Sequence, residues 1–137
     1  MKRTIKASIN KKSYILNLTQ HKASNDQLAQ KVIDLDDKER EQLIKLLTFE
    51  DIPTSDELFE RASQIAMLAH EFNSNGVLHY AMIGGAPYLM PYLESALADP
   101  VIGMTPLYSF SKRESIEKEV NGEVIKTSGF KHIGFVQ

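Results

Sequence analysis

Three apolar runs in this chain each end abruptly in a short polar or glycine-rich loop. The runs cover residues 14–18, 77–83 and 104–108, and each is typical of a short buried strand. The loops that follow them are Thr19-Gln20-His21, Gly84-Gly85-Ala86-Pro87 and Ser109-Phe110-Ser111-Lys112-Arg113-Glu114. Ligands of open α/β sheets bind beyond the carboxyl ends of parallel strands. If the three strands are parallel neighbours, their loops gather at one edge, and the pattern predicts a site for an anionic ligand there.

Helical signals lie between these runs. Polar pairs of the capping-box type predict three helix starts, at Ser24 with Gln27, Asp36 with Glu39 and Thr54 with Glu57. The third helix is the longest, because apolar residues recur at spacings of three and four from residue 58 to residue 72. Pro87 lies just inside a fourth helix, which ends at about Ala98.

The C-terminal quarter of the chain predicts antiparallel structure. Asn121-Gly122 lies between alternating residues, which is a strong hairpin signal joining residues 115–120 to 123–128. A last strand covers residues 130–136, with Gly129 as the break before it. Strands that alternate with helices imply a parallel sheet. We therefore predict a single α/β domain at 14–137, after a basic tail at 1–13, with a Rossmann-like, mostly parallel sheet flanked by helices, a C-terminal β-hairpin and an edge strand.

Composition excludes several functional classes. The chain has no cysteine, so it has neither a disulfide framework nor a thiolate metal site. Its formal net charge of −2 argues against a duplex nucleic-acid binder, which needs a broad basic face. No apolar run approaches the roughly 20 residues that span a bilayer. We expect a cytoplasmic protein without membrane or duplex nucleic-acid partners. The basic start at 1–13 is either a solvated tail or an arm that contacts phosphate.

The glycine turn and the first loop contain the first candidates for ligand chemistry. Gly84 and Gly85, followed by Ala86 at a helix start, would let backbone N–H groups approach an anion. The alternative is a tight strand-to-helix turn without a ligand. Histidine side chains can act as a general acid or base near neutral pH, so His21 is a candidate for that role, or else a solvated loop residue. Thr19 would contact a phosphate, hold the histidine or cap the turn.

The third loop supplies positive charge. Arg113 binds phosphate bidentately and Lys112 acts as a point charge, so the pair suits a phosphodiester. Glu114 would orient either cation, and the segment taken alone also fits an ordinary exposed charge run. The remaining histidines are predicted to be structural, namely His70, His79 and His132. No histidine spacing typical of a metal site is present, so we expect no metal and no cofactor.

Short motifs along residues 14–136 resemble, in order, those of a known family. They are Asn-Leu-Thr-Gln-His-Lys-Ala-Ser at 17–24, Ile-Gly-Gly-Ala at 83–86, Pro-Leu-Tyr-Ser-Phe-Ser-Lys-Arg-Glu at 106–114, and Phe-Lys-His-Ile-Gly-Phe at 130–135 after Glu117 and the Asn121-Gly122 turn. The chain resembles the small CRISPR-associated ring nucleases, single-domain relatives of the CRISPR-associated Rossmann fold. A related uncharacterised group of phage and bacterial proteins with an Asn-Leu-Thr-x-His start is similar as well.

The resemblance implies cleavage of cyclic oligoadenylate, the second messenger of type III CRISPR antiviral defence, by attack of a ribose 2′-hydroxyl without a metal. A ring of even symmetry suits a homodimer. The alternatives are a module that binds or sequesters a small anionic nucleotide without cleaving it, and a structural or protein-interaction domain. The candidate catalytic residues are His21, Lys112 and Arg113, and the candidate ligand-binding residues are Asn17, Thr19, Gly84, Gly85, Ala86, Ser109, Ser111 and Glu114.

Overall fold

The computed structural model describes residues 13–137, so almost all of the predicted basic tail lies outside the described residues. The strands are β1 (Ile15–Asn17), β2 (Val32–Asp34), β3 (Tyr80–Met82), β4 (Thr105–Val120) and β5 (Glu123–Val136). The helices are α1 (Asn25–Ala29), α2 (Asp37–Leu47), α3 (Ser55–Phe72) and α4 (Met90–Ala98).

All five strands belong to one sheet, in the order β2-β1-β3-β4-β5. The contacts of β1 with β2, of β1 with β3 and of β3 with β4 are parallel. Strand β5 runs antiparallel to β4. The predictions of an α/β fold, of a mostly parallel sheet and of an antiparallel C-terminal strand pair are therefore confirmed.

Two separate hydrophobic cores lie on the two faces of the sheet, because successive strand residues point to opposite sides. On one face, Leu16 and Ala81 pack with apolar residues of α2, α3 and α4. On the other face, a smaller cluster contains Ile15, Met82 and Phe135. Helix α1 contacts both edge strands, β2 and β5, because the sheet is curled around this side.

The three helix starts predicted from polar pairs are confirmed, whereas the prediction that Pro87 lies just inside α4 is wrong, because α4 begins at Met90. Ser24 and Gln27 form the complete capping box that begins α1, and the Thr54 hydroxyl accepts from the Glu57 backbone N–H at the start of α3. Asp36 precedes α2 as predicted, although its side chain makes no capping hydrogen bond.

Strand β2 was not predicted. It has only three residues, and a run this short shows no alternation from which a strand could be recognised. It pairs with β1 from Ile15↔Val32 to Asn17↔Asp34, so it completes the parallel part of the sheet at the edge beyond β1.

Two predicted interruptions near the C-terminus are wrong. Residues 111–114 belong to β4 rather than to a loop, and Gly129 continues β5 instead of breaking it. The two strands run past the rest of the sheet as an exposed two-stranded ribbon, which we define as residues 111–131. Asn121 and Gly122 turn it with φ of 53° and 80°, as the Asn-Gly signal predicts. The backbone pairing between β4 and β5 holds this polar segment in the extended conformation of a strand, independently of the types of its side chains.

Within residues 13–137, no helix combines the length and the apolar character needed to cross a membrane.

Candidate functional site

The carboxyl ends of β1, β3 and β4 lie at one edge of the sheet, because these strands are parallel neighbours. This confirms the expectation that the three strands are parallel neighbours whose carboxyl ends lie at one edge. The chain places β2 on one side of β1 and β3 on the other, so the strand order reverses between β1 and β3. Such a switch point opens a crevice beyond the strand ends, where α/β sheets bind ligands.

The loop after β1 is ordered by Asn17, whose side chain is fully buried. Its Nδ2 donates to the His21 carbonyl oxygen and to Asp34 Oδ1, both over 2.8 Å. Its Oδ1 accepts from the backbone N–H and the hydroxyl of Thr19, over 2.9 and 2.7 Å. The amide thus uses its full hydrogen-bonding capacity inside the fold. The buried side chain of Asn17, a candidate ligand-binding residue, holds the loop after β1 in position at this edge.

Thr19 and the glycine turn meet at the switch point. A Cβ built on Gly84 would lie 3.5 Å from Thr19 Cγ2, so the loops after β1 and β3 are in van der Waals proximity. Gly85 has a φ of +137°, a conformation that L side chains rarely adopt. Ala86 packs partly buried against the larger core. The backbone of the turn is therefore exposed to solvent at Gly85.

A chain of hydrogen bonds links β4, β5 and the end of α1 at the same edge. Ser109 Oγ lies 2.6 Å from His132 Nδ1. His132 Nε2 lies 2.8 Å from Gln30 Oε1, and Gln30 Nε2 donates to the Ile133 carbonyl oxygen over 3.0 Å. His132 is buried, whereas Ser109 is exposed. Of the side chains linked by these hydrogen bonds, the Ser109 hydroxyl is therefore the one that faces solvent.

These partners determine the tautomer of His132. The Ile133 carbonyl can only accept, so Gln30 presents Nε2 to it and directs Oε1 toward the imidazole. His132 Nε2 must then carry the hydrogen that Gln30 Oε1 accepts. The unprotonated Nδ1 accepts from the Ser109 hydroxyl. The arrangement holds a neutral histidine behind an exposed serine.

Burial lowers the pKa of His132 below its usual 6.5, with the charge of Asp26 acting weakly in the opposite direction. Its ring also packs edge-on against Phe135, with centroids 4.8 Å apart. The neutral form, which the hydrogen bonds require, is therefore also the form that the surroundings favour.

A β-bulge explains why simple alternation misplaced this histidine. Alternation puts His132 and Phe135 on opposite faces of the last strand. The register instead pairs Gly134 with Phe110 and His132 with Ser111, which leaves Ile133 as the extra residue. His132 thereby turns to the face of Phe135.

Beyond the bulge, the ribbon separates the predicted cations. Ser109 Oγ lies 3.5 Å from Ser111 Oγ, and strand alternation brings Arg113 to that same side. The Arg113 guanidinium lies 5.6 Å from the ring centroid of its cross-strand neighbour Phe130. We call the side with Ser109, Ser111, Arg113 and His132 the serine face. By the same alternation, Lys112 and Glu114 project from the opposite side of the ribbon.

His21 is exposed in the loop after β1. The hydrogen bonds it makes in the described part of the chain go to its backbone carbonyl, from the side chains of Asn17 and Thr19. The structure therefore places His21 at the predicted edge and leaves its imidazole facing solvent.

Sequence reasoning missed Arg40 near the start of α2. It is only 8% exposed, and its Nη2 lies 3.4 Å from the Gln20 carbonyl oxygen in the loop after β1. Its Nη1 is buried without a hydrogen-bond partner among residues 13–137. An arginine within the charged start of a helix has the pattern of a solvated residue, so no sequence signal marks it.

A cavity lies away from this edge. It opens between α3 and α4 with a volume of about 610 Å³, and its lining includes Phe59, Met67 and Tyr92 but none of the candidate site residues.

No group of three or more His, Asp or Glu side chains in residues 13–137 is arranged to hold a metal ion.

The fold and the site define an α/β protein with a mostly parallel sheet and a polar carboxyl edge. The chain belongs to the uncharacterized protein MJ1673 family, whose model matches residues 13–136. No curated protein and no solved structure matches the chain.

Proposed function

We propose that this protein binds a cyclic oligoadenylate at the carboxyl edge of its sheet and cleaves it without a metal. The observation that supports this best is the serine face, where Ser109, Ser111 and Arg113 lie on the same side as His132. The Ser111 hydroxyl and the Arg113 guanidinium are suitable donors for a phosphodiester. Ser109 comes two residues after Leu107, and the glycine turn comes after Met82, the register partner of Leu107 on β3, so the backbone N–H groups of the turn are a second source of donors at this edge.

In this proposal the attacking group belongs to the substrate. A ribose 2′-hydroxyl attacks the adjacent phosphorus, the bond to the 5′-oxygen breaks, and a 2′,3′-cyclic phosphate forms. Arg113 and the N–H groups of residues 84–86 stabilise the charge that develops on phosphorus. His21, exposed at the edge, transfers a proton to or from the substrate. Lys112 projects from the other side of the ribbon, so it contributes to the long-range attraction of the anion.

We also propose a fold class and a biological setting. The parallel order β2-β1-β3-β4 is the flavodoxin-like variant of the doubly wound sheet, and both this order and the Rossmann order bind nucleotides at the switch point. We therefore propose a Rossmann-like domain that acts in the cytoplasm in CRISPR antiviral defence. A ring of even symmetry meets two equivalent sites when the protein is a homodimer, with the edges facing across the twofold axis.

The test is incubation of the purified full chain with cyclic tetra-adenylate or hexa-adenylate in the presence of EDTA, followed by chromatography and mass spectrometry. The expected product is linear, ends in a 2′,3′-cyclic phosphate and has the mass of the ring, because attack by the 2′-hydroxyl adds no water. A ring that stays intact after long incubation with excess protein would overturn the proposed cleavage.

A second candidate function is binding without cleavage. It is favoured by the exposed His21 imidazole, since the hydrogen bonds of this residue within residues 13–137 are made by its backbone carbonyl. A catalytic base is usually oriented by a third group. Sequestration predicts a stabilisation of about 2.7 kcal/mol at a ligand concentration a hundred times Kd, no product, and unchanged affinity in His21→Ala. If neither cyclic nucleotide shifts the melting temperature, both nucleotide functions fail and a protein-interaction domain remains.

A further inference from the structure

Ser109 and His132 have the geometry of an activated nucleophile, a role that differs from the substrate-derived nucleophile of the proposed function. A nucleophilic serine is recognised by a base within hydrogen-bond reach and by a third group that orients the base. Ser109 Oγ lies 2.6 Å from His132 Nδ1, and Gln30 Oε1 lies 2.8 Å from His132 Nε2. Gln30 is itself fixed by its donation to the Ile133 carbonyl.

Access and burial are arranged as a nucleophile requires. Ser109 is exposed, so an electrophile in solution reaches its oxygen. His132 is 7% exposed and is held in the tautomer that accepts the serine proton. Its lowered pKa keeps it unprotonated at neutral pH. Ser111 lies on the same face only 3.5 Å from Ser109, but the imidazole contact is made by Ser109.

We propose that Ser109 is a nucleophile toward phosphorus, with His132 as its base and Gln30 as a positioning residue. The class of electrophile follows from the surroundings, because Arg113 and Ser111 share the face and suit the oxygens of a phosphodiester with a good leaving group. In the reaction the Oγ–P bond forms, the bond from phosphorus to the leaving oxygen breaks, and the serine proton passes to His132 Nδ1. His132 then gives that proton to the departing oxygen, and water hydrolyses the phosphoserine diester.

A fluorophosphonate probe tests this proposal on the full chain without any nucleotide, so its outcome is separate from that of the ring-cleavage experiment. Serine attack expels fluoride and leaves a phosphonate on Oγ, which peptide mass spectrometry locates. We expect the adduct on Ser109. Ser115 and Ser128 are exposed cross-strand partners on the same ribbon and serve as internal controls, since neither hydrogen-bonds a histidine within residues 13–137. The Ser109→Ala variant should lose the adduct, and Ser115→Ala should keep it.

Variants of His132 and Gln30 distinguish a loss of serine activation from a loss of folding. His132→Gln should slow labelling about 100-fold, the usual contribution of a general base. Gln30→Leu should also slow it, and Gln30→Glu should be labelled faster than Gln30→Leu, because its carboxylate still accepts from His132 Nε2 although it no longer donates to the Ile133 carbonyl. Melting temperatures identify any variant that fails to fold, and Gln30, which is only partly buried, provides the second test if His132→Gln does so.

The pH dependence gives a readout that a structural hydrogen bond would not produce. Among residues 13–137, the charge of Asp26 from α1 acts on His132, and Arg113 lies on the serine face two residues beyond Ser111, the register partner of His132. The labelling rate should be level above about pH 6.5, the usual imidazole pKa, and should fall as the pH approaches the lower pKa of the folded-state imidazole. A rate that rises with hydroxide throughout, or labelling of Ser109 no faster than that of Ser115, would overturn the proposal.

Discussion

The side-chain amide of Asn17 donates to Asp34 Oδ1 over 2.8 Å, and the two residues are register partners on the parallel strands β1 and β2. The same carboxylate accepts from the Ala23 backbone N–H over 3.1 Å. Two strand ends and the loop after β1 therefore depend on one buried polar contact. This network fixes the distance between the first loop and the rest of the edge.

We predict that Asn17→Asp lowers the free energy of unfolding by about 2–4 kcal/mol, because it replaces a buried donor by a second carboxylate next to Asp34. Urea denaturation measures the effect. Asn75→Asp makes the same chemical change at an exposed position and should shift stability by no more than about 0.5 kcal/mol. Equal effects in the two variants would mean that the network does not hold the edge.

The paired glycines of the turn should respond differently to alanine. Gly85→Ala should cost about 1–3 kcal/mol, because its φ of +137° is strained for an L residue. Gly84→Ala should cost about 1 kcal/mol or less, since its new Cβ would meet Thr19 Cγ2 at an ordinary 3.5 Å. Thermal unfolding of both variants measures the difference. A larger loss in Gly84→Ala would contradict the turn geometry.

Local signals in the sequence were enough to predict the framework of this fold. The capping box at Ser24, the long amphipathic helix α3 and the Asn121-Gly122 turn each depend on residues close in sequence, and all three are present. The three strands that precede the edge are parallel neighbours as expected. These features could be predicted because propensity and pattern agree with the tertiary structure there.

What the sequence missed depends on pairing between distant segments. Strand β2 is three residues long and is recognised only through its contact with β1. The orientation of His132 depends on a bulge in the pairing of β4 with β5, and its partner Gln30 is 102 residues away. Arg40 is buried because α2 packs beside the loop after β1. Such relationships leave no periodic trace in one sequence.

Arg40 should tolerate an apolar replacement of similar length. Its Nη1 is buried without a partner among residues 13–137, so removing the guanidinium also removes a desolvated group. We predict that Arg40→Met changes the free energy of unfolding by about 1 kcal/mol or less, whereas Arg40→Ala lowers it by about 2 kcal/mol or more, because the alanine leaves a cavity. Urea denaturation distinguishes them. A large loss in Arg40→Met would show that the contact with Gln20 outweighs the orphan nitrogen.

Arg113 and Lys112 form a matched pair for testing the serine face, because both are exposed cations and adjacent residues project from opposite sides of a strand. We predict that Arg113→Ala weakens binding of cyclic tetra-adenylate about tenfold, or about 1.4 kcal/mol. Lys112→Ala changes the net charge equally and should weaken binding by no more than about threefold. Calorimetric titration at constant salt measures both. Equal losses would indicate that the ligand binds through net charge rather than on the serine face.

The buried His132 should make the protein sensitive to acid. Its pKa in the folded state lies below the usual 6.5, so the unfolded chain binds the proton more readily. Stability from the neutral imidazole is therefore complete above about pH 6.5 and is lost as the pH falls toward the folded-state pKa. We predict that His132→Gln loses less stability than the wild type between about pH 7.5 and pH 5, measured by urea denaturation. His79→Gln, at an exposed position, should keep the wild-type difference. If the two variants respond to acid alike, the imidazole is not held neutral in the folded protein.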